Sequence, residues 1–281
     1  MIIDCHVHAG TAGEVEDLLQ SMKEYHIDKS IILYWPNLPG QRNPPLNVMH
    51  SLIAGHNNLL LAGSVKIKNN RNFHDDLAVL RNAILGKKII AVKLYPGYDH
   101  FYANDDACDP VYELCQQMYI PVIFHCGDTW WKINTSIIRY ANPLYIDDVA
   151  VRFPRLRILI AHLGNPWIRE TSEVMYKNRN VYTDLSGILY TNQNPGRFEK
   201  RYNEGLKNHL LDLVAYCGST RKLLFGTDFP LYRQGQYLDF IHGIRDFTAR
   251  DLDNILYKNA LAFFNIEPEM PVWSAGTNTG K

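Results

Sequence analysis

Residues 1–8 read MIIDCHVH, a short apolar opening followed by two histidines at i and i+2. Strand side chains alternate with period two, so His6 and His8 emerge on one side of a first strand. The chain then repeats the apolar opening seven times. The runs are KSIILYW (29–35), LLLAGSVKI (59–67), IIAVKLYP (89–96), IPVIFHCG (120–127), LRILIAHLG (156–164), VYTDLSG (181–187) and KLLFGTDFP (222–230). They are β-branched and nearly continuous, as parallel strands buried on both faces must be.

Helical spacing fills the intervals: EVEDLLQSMKEY (14–25), LNVMHSLIAGH (46–56), FHDDLAVLRNAIL (73–85), DPVYELCQQMY (109–119), YIDDVAVRFP (145–154), PWIRETSEVMYKN (166–178) and YNEGLKNHLLDLVAYCG (202–218). YLDFIHGIRDF (237–247) and DLDNILYKNALAFF (251–264) close the chain as helices. Eight βα units in 281 residues fit an α/β protein built as a single-domain (β/α)8 TIM barrel over residues 1–269. Residues 270–281 read as a loose, flexible tail. The runner-up is a doubly wound open sheet, but no glycine-rich phosphate-binding motif follows the first strand.

In such a barrel the chemistry sits at the C-terminal ends of the strands. The polar residues that end the runs are His6 and His8, Lys93, His125, His162, Asp184 and Asp228. The second run ends in Tyr34 and Trp35, and the third, with Lys66 and Lys68, has no clear polar end. If His6 and His8 face the lumen, His125 and Asp228 converge on them. Three imidazole nitrogens and one carboxylate suit one divalent metal, Zn²⁺ first, with Mn²⁺ or Fe²⁺ also accommodated and a second metal not excluded. Such an ion lowers the pKa of a coordinated water towards ~7.

His162 reads as a further ligand, a ligand's partner or a general acid/base. Lys93 reads first as pairing with an inner aspartate or a substrate carboxylate, and second as a carbamate. Tyr95, Tyr98, Trp130 and Trp131 follow strands four and five, where they line the mouth against a flat substrate or pack within loops. Lys93 or Arg233 would serve to pair a carboxylate. Asp4 orients a neighbour rather than binding metal. Cys5 and Cys126, between lumen positions, are expected to pack outward. His26, His50, His56, His74, His100, His209 and His242 fall in helical or loop patterns and read as structural.

Lys plus Arg and Asp plus Glu number 29 each, so no basic field exists to hold nucleic acid or an anionic membrane. Hydrophobic residues are 46% and charged residues 21%, as in an ordinary globular protein. The five cysteines include no C-x-x-C pair, which favours reduced thiols and a cytoplasmic setting. The N-terminus lacks the pattern of a signal peptide, and no apolar run is long enough to span a bilayer. The expected partner is a small-molecule substrate, and a homo-oligomer is left open.

Taken in order, DCHVH, VKLYPG, VIFHCGD, ILIAHLG and LLFGTDFP resemble the amidohydrolase superfamily, in particular its amidohydrolase-related branch of aminocarboxymuconate semialdehyde decarboxylase-like enzymes. The resemblance extends to LYKNALAFF near the end. It implies His6, His8, His125 and Asp228 as metal ligands, with Asp228 also taking a proton. It implies His162 as acid/base, and it places Lys93 at a position carboxylated in binuclear branches. It implies a metal-dependent hydrolase acting on a small ester, lactone or amide; by their place at the mouth, Lys93, Tyr95 and Trp131 are expected to contact the substrate. The alternatives are a non-oxidative decarboxylase of an aromatic or unsaturated acid, and a non-catalytic binding protein.

Overall fold

The computed structural model describes residues 1–35, 44–130, 132–190 and 196–267. Trp131 and the tail from 270 onward lie outside the described residues. The strands are β1 (Ile3–Val7), β2 (Lys29–Leu33), β3 (Leu59–Ser64), β4 (Ala91–Leu94), β5 (Val122–Phe124), β6 (Ile158–Ile160), β7 (Val181–Asp184) and β8 (Leu223–Leu224). All pair in parallel, in sequence order. Backbone bonds bring the last strand back to the first: Cys5 N donates to Phe225 O at 2.9 Å and His8 N to Phe229 O at 2.7 Å. The fold is the expected (β/α)8 barrel.

Helices α1 (Ala12–Glu24), α2 (Leu46–Ile53), α3 (Phe73–Leu85), α4 (Asp109–Gln117), α5 (Leu144–Arg152), α6 (Ile168–Lys177), α7 (Arg197–Cys217) and α8 (Gln234–His242) follow the eight strands in turn. The chain closes through α9 (Ala249–Asp253), one π-helical turn at Asn254–Lys258 and α10 (Asn259–Phe264). Thr11 starts α1 with a capping box. Its hydroxyl accepts from Glu14 N, and the Glu14 carboxylate accepts from Thr11 N at 3.0 Å and Gly10 N at 2.6 Å. This turns the chain sharply just after His8. Among the described residues no helix is long and apolar enough to cross a membrane.

Two apolar cores result. The larger lies between sheet and helices and takes Val7, Ile32, Val92, Phe124 and Ile160. The smaller fills the barrel with Ile3, Cys5, Ile31, Leu33, Ala62, Ala91, Ile123, Leu159 and Leu224. Phe263 and Phe264 of α10 pack against this inner set, near the end where Arg157, just before β6, bonds Ala262 O. Truncating a buried ring such as Phe263 costs about 3–5 kcal/mol.

The inner core corrects one expectation: Cys5 faces into the barrel, not outward. The register explains it. Ile3 pairs with Lys29 and Asp4 with Ser30, but Val7 pairs with Ile32, so β1 holds one extra residue between Asp4 and Val7. Such a bulge interrupts strict alternation. Cys5 fills the lumen, and His6 and His8 still reach it above.

Candidate active site

His6 and His8 each have one ring nitrogen fixed by a neighbouring strand. His6 Nδ1 lies 2.8 Å from Asp184 Oδ2, the carboxylate that ends β7. His8 Nδ1 lies 3.0 Å from Leu33 O, the carbonyl that ends β2. A carbonyl only accepts, so His8 Nδ1 carries the hydrogen. A neutral imidazole carries one, which leaves a lone pair at each Nε2. Those lone pairs meet Asp228 Oδ1, 3.7 Å from His6 Nε2 and 3.1 Å from His8 Nε2. His6 Nε2 is buried and has no hydrogen-bond partner among the described residues. Three acceptors thus converge on one point, within 4.8 Å of one another. Such a set is satisfied by a cation between them. Two imidazole nitrogens and a carboxylate oxygen are the donor set of zinc or manganese, so the residues present fit a divalent ion.

His162 and Asp228 owe their positions to unusual backbone. β6 stops at Ile160, and His162 sits in the following turn at φ 62°. Asp228 lies four residues past β8 at φ 67°. Non-glycine residues seldom adopt this region, and it is tolerated where surrounding contacts hold it. Those contacts are His162 N donating to Asp184 Oδ1 at 3.0 Å and Asp228 N donating to His6 O at 2.8 Å. Gly187, at φ +69°, must be glycine: a Cβ there would stand 2.7 Å from His162 Nδ1 and 3.1 Å from Asp228 Oδ2.

His162 Nδ1 donates to Ser186 O at 3.0 Å, so its Nε2 carries a lone pair. That lone pair faces His125 Nδ1 at 3.2 Å. Either His125 donates across this gap or a cation occupies it. His125 Nε2 is buried without a hydrogen-bond partner among the described residues. His125 stands in neither acceptor group, whereas His162 joins His6 and Asp184 in a second one. The structure therefore brings all four predicted ligands and His162 to one mouth, with His6, His8 and Asp228 drawn closest together.

The charges follow from burial. Desolvation, then the Lys93 charge, pushes His6 down to about 3, so its imidazole is neutral at pH 7. Burial lowers His125 and His162 as well. Burial alone would raise Asp184 and Asp228. The His6 partner holds Asp184 below the usual carboxylate range, and the facing His8 ring lowers Asp228 in the same direction. Burial lowers Lys93 to about 8, against the pull of Asp184 and Asp228. Lys93 does not pair directly with either aspartate. Its Nζ has no hydrogen-bond partner among the described residues and lies 5.4 Å from the Tyr95 ring centre.

Asp4 anchors the bulged strand to the far side of the seam. It accepts from Thr227 Oγ1 at 2.6 Å, Gln234 Nε2 at 2.8 Å, Thr227 N at 3.1 Å and His6 N at 3.2 Å. Burial raises its carboxyl to about 7.

A cavity of about 360 Å³ opens beside the histidines, lined by Trp35, Ser64, Lys66, Tyr95, Tyr98 and His100 among others. Trp35 stacks on Tyr95 at 4.3 Å and 12°, and Tyr98 lies 4.7 Å from the His125 ring. Tyr95 Oη donates to Tyr34 O, which fixes this wall. The sequence pointed to Tyr95 and Tyr98. It gave Trp35 only as a strand end, left Ser64 and Lys66 without a role, and treated His100 as structural. His100 does bond Thr135 O at 2.8 Å, and it also lines the cavity. Ser186, the link between Asp184, His6 and His162, went unnoticed because a serine after a strand carries no signal of its own. Arg233 is exposed just before α8, where its charge acts on Tyr25.

A family profile described as amidohydrolase matches residues 71–266. No curated protein matches the chain. Solved structures share the fold at low identity. An uncharacterised TIM-barrel protein from Bordetella bronchiseptica is 20% identical, with a TM-score of 0.71 over 94% of this chain and 98% of its own. A dihydroxybenzoic acid decarboxylase from Polaromonas, with bound manganese and the inhibitor 2-nitroresorcinol, is 13% identical, with a TM-score of 0.69 over 94% and 96%. An amidohydrolase from Burkholderia multivorans with bound zinc is 13% identical, with a TM-score of 0.68 over 95% and 100%.

Proposed function

The chain belongs to the amidohydrolase family, and from that premise we propose that it is a metal-dependent hydrolase of a small ester, lactone or amide. One observation carries the reading: His6 Nε2, His8 Nε2 and Asp228 Oδ1 converge as three acceptors with no hydrogen between them to share. His6, His8 and Asp228 would hold the ion, and His125 would supply a fourth nitrogen. One divalent ion, zinc first and manganese second, would polarise a carbonyl and make a water acidic. Zinc and manganese in similar folds support that choice.

The chain's own groups supply the proton steps. Asp228, held as a carboxylate among the site imidazoles, accepts the proton of the attacking water. His162, its Nδ1–H fixed on Ser186 O, takes that proton from Asp228 at Nε2, the nitrogen beside His125, and passes it to the leaving group. Tyr95 and Trp35 hold the substrate's face, and Trp131 belongs with them by sequence position.

A second reading is non-oxidative decarboxylation, favoured by the flat Trp35–Tyr95 wall beside a buried ammonium and by the likeness to a decarboxylase. There the carbon–carbon bond breaks, carbon dioxide leaves, and His162 or Asp228 returns a proton to carbon. Screening lactones, amides and unsaturated carboxylic acids while recording released acid and released carbon dioxide separates the two. Acid release with one divalent ion per chain is expected. Carbon dioxide release without acid would replace the first reading by the second.

A further inference from the structure

Ser64 and Lys93 stand opposite each other in the β3–β4 register. Each follows an inner-core residue by two positions, Ala62 and Ala91, so both face the lumen. Ser64 is 9% exposed and Lys93 1% exposed. Neither Ser64 Oγ nor Lys93 Nζ has a hydrogen-bond partner among the described residues. Two donors on adjacent strands are therefore buried side by side without an acceptor.

The inner carboxylates do not resolve this. Asp184 is taken by His6, His162 N and Ser186, and Asp228 Oδ1 is turned to the His6 and His8 nitrogens. They act on Lys93 only through space. A buried ammonium with no acceptor is costly, and so is a buried hydroxyl left unpaired. Function can preserve such a pair where a ligand supplies the acceptors. Ser64 also lines the aromatic-walled cavity, so it connects that cavity to Lys93.

We propose that Ser64 and Lys93 form an anion subsite that receives a carboxylate of the substrate at the floor of the Trp35–Tyr95 cavity. The inference rests on the reading above for taking this cavity as the substrate site. Neighbouring parallel strands lie ~4.8 Å apart, so the two donors address the two oxygens of one planar carboxylate. The flat ring wall continues from that plane. Lys93 reads the charge, and Ser64 adds a hydrogen bond to the second oxygen, which strengthens as that oxygen carries charge.

The test compares benzoate with its neutral isostere benzamide by calorimetric titration of the purified protein. Benzoate is expected to bind at least about tenfold more tightly, the worth of one charge-assisted hydrogen bond. Ser64→Ala is expected to reduce that preference several-fold, and Lys93→Met and Lys93→Gln to abolish it. Lys93→Met is also expected to raise the melting temperature of the free protein, because it removes a buried ammonium that has no hydrogen-bond acceptor among the described residues. Metal content, measured on the same samples, stays at the wild-type level in Ser64→Ala. Equal binding of the two probes, an unchanged preference in Ser64→Ala, a lower melting temperature in Lys93→Met, or a carboxylated Lys93 in the intact mass would each overturn the subsite. Failure of the metal reading appears separately, as a wild-type protein without a divalent ion that still prefers benzoate.

Discussion

His6 Nδ1 lies 2.8 Å from Asp184 Oδ2, a contact between the first and seventh strands that fixes which imidazole nitrogen is free. The carboxylate takes the Nδ1 hydrogen and so leaves Nε2 for the site. Replacing Asp184 by Asn keeps the size but weakens that control. Asp184→Asn is expected to lower metal affinity about 10–100-fold, as loss of a ligand's carboxylate partner does. Competition with a chromogenic chelator measures it, and wild-type affinity would refute the assigned role.

The converging acceptors of His6, His8 and Asp228 predict that a divalent ion stabilises the fold. Zinc or manganese at a hundredfold excess over Kd adds about 2.7 kcal/mol. A melting curve with and without chelator reads this out. His8→Ala and Asp228→Ala are expected to lose the metal-dependent rise together with activity. A melting temperature unmoved by either ion in the wild type would sink the metal site.

His162 lies outside the His6, His8 and Asp228 group, so its loss should separate chemistry from metal. His162→Ala is expected to retain metal and lose about 10²–10⁴-fold in kcat, the usual worth of general acid/base catalysis. Elemental analysis decides the point: a metal-free variant would make His162 a ligand.

Fully buried, Asp4 accepts four hydrogen bonds, three of which join β1 to Thr227 and Gln234 beyond β8. Asp4→Ala strands those donors, at a cost of roughly 2–3 kcal/mol. Urea denaturation is expected to show that loss, with a smaller one for Asp4→Asn. An Asp4→Ala protein as stable as wild type would contradict the anchoring role.

Gly187→Ala places a methyl group 2.7 Å from His162 Nδ1 at a left-handed backbone position. A cost of about 1–2 kcal/mol and a large fall in kcat are expected. Full activity in the variant would mean that His162 has freedom to move.

The barrel was legible because its evidence is local. Eight apolar runs each carry their own periodicity, and each polar terminus sits next to its run. Lys93, His125, His162, Asp184 and Asp228 could be named for that reason, and parity put His6 beside His8. The sequence alone determined the order of strands and the residue types at the mouth. It could not determine how they meet. The extra residue in β1 exists only relative to its partner β2, so Cys5 turned inward against simple alternation. The turns that deliver His162 and Asp228 at positive φ are held by Asp184 and by the His6 carbonyl, contacts between distant strands. The Ser64–Lys93 pair depends on the register of β3 with β4. Local pattern records which face a residue presents, whereas register and closure are set by pairing across the barrel, and only the folded chain contains them.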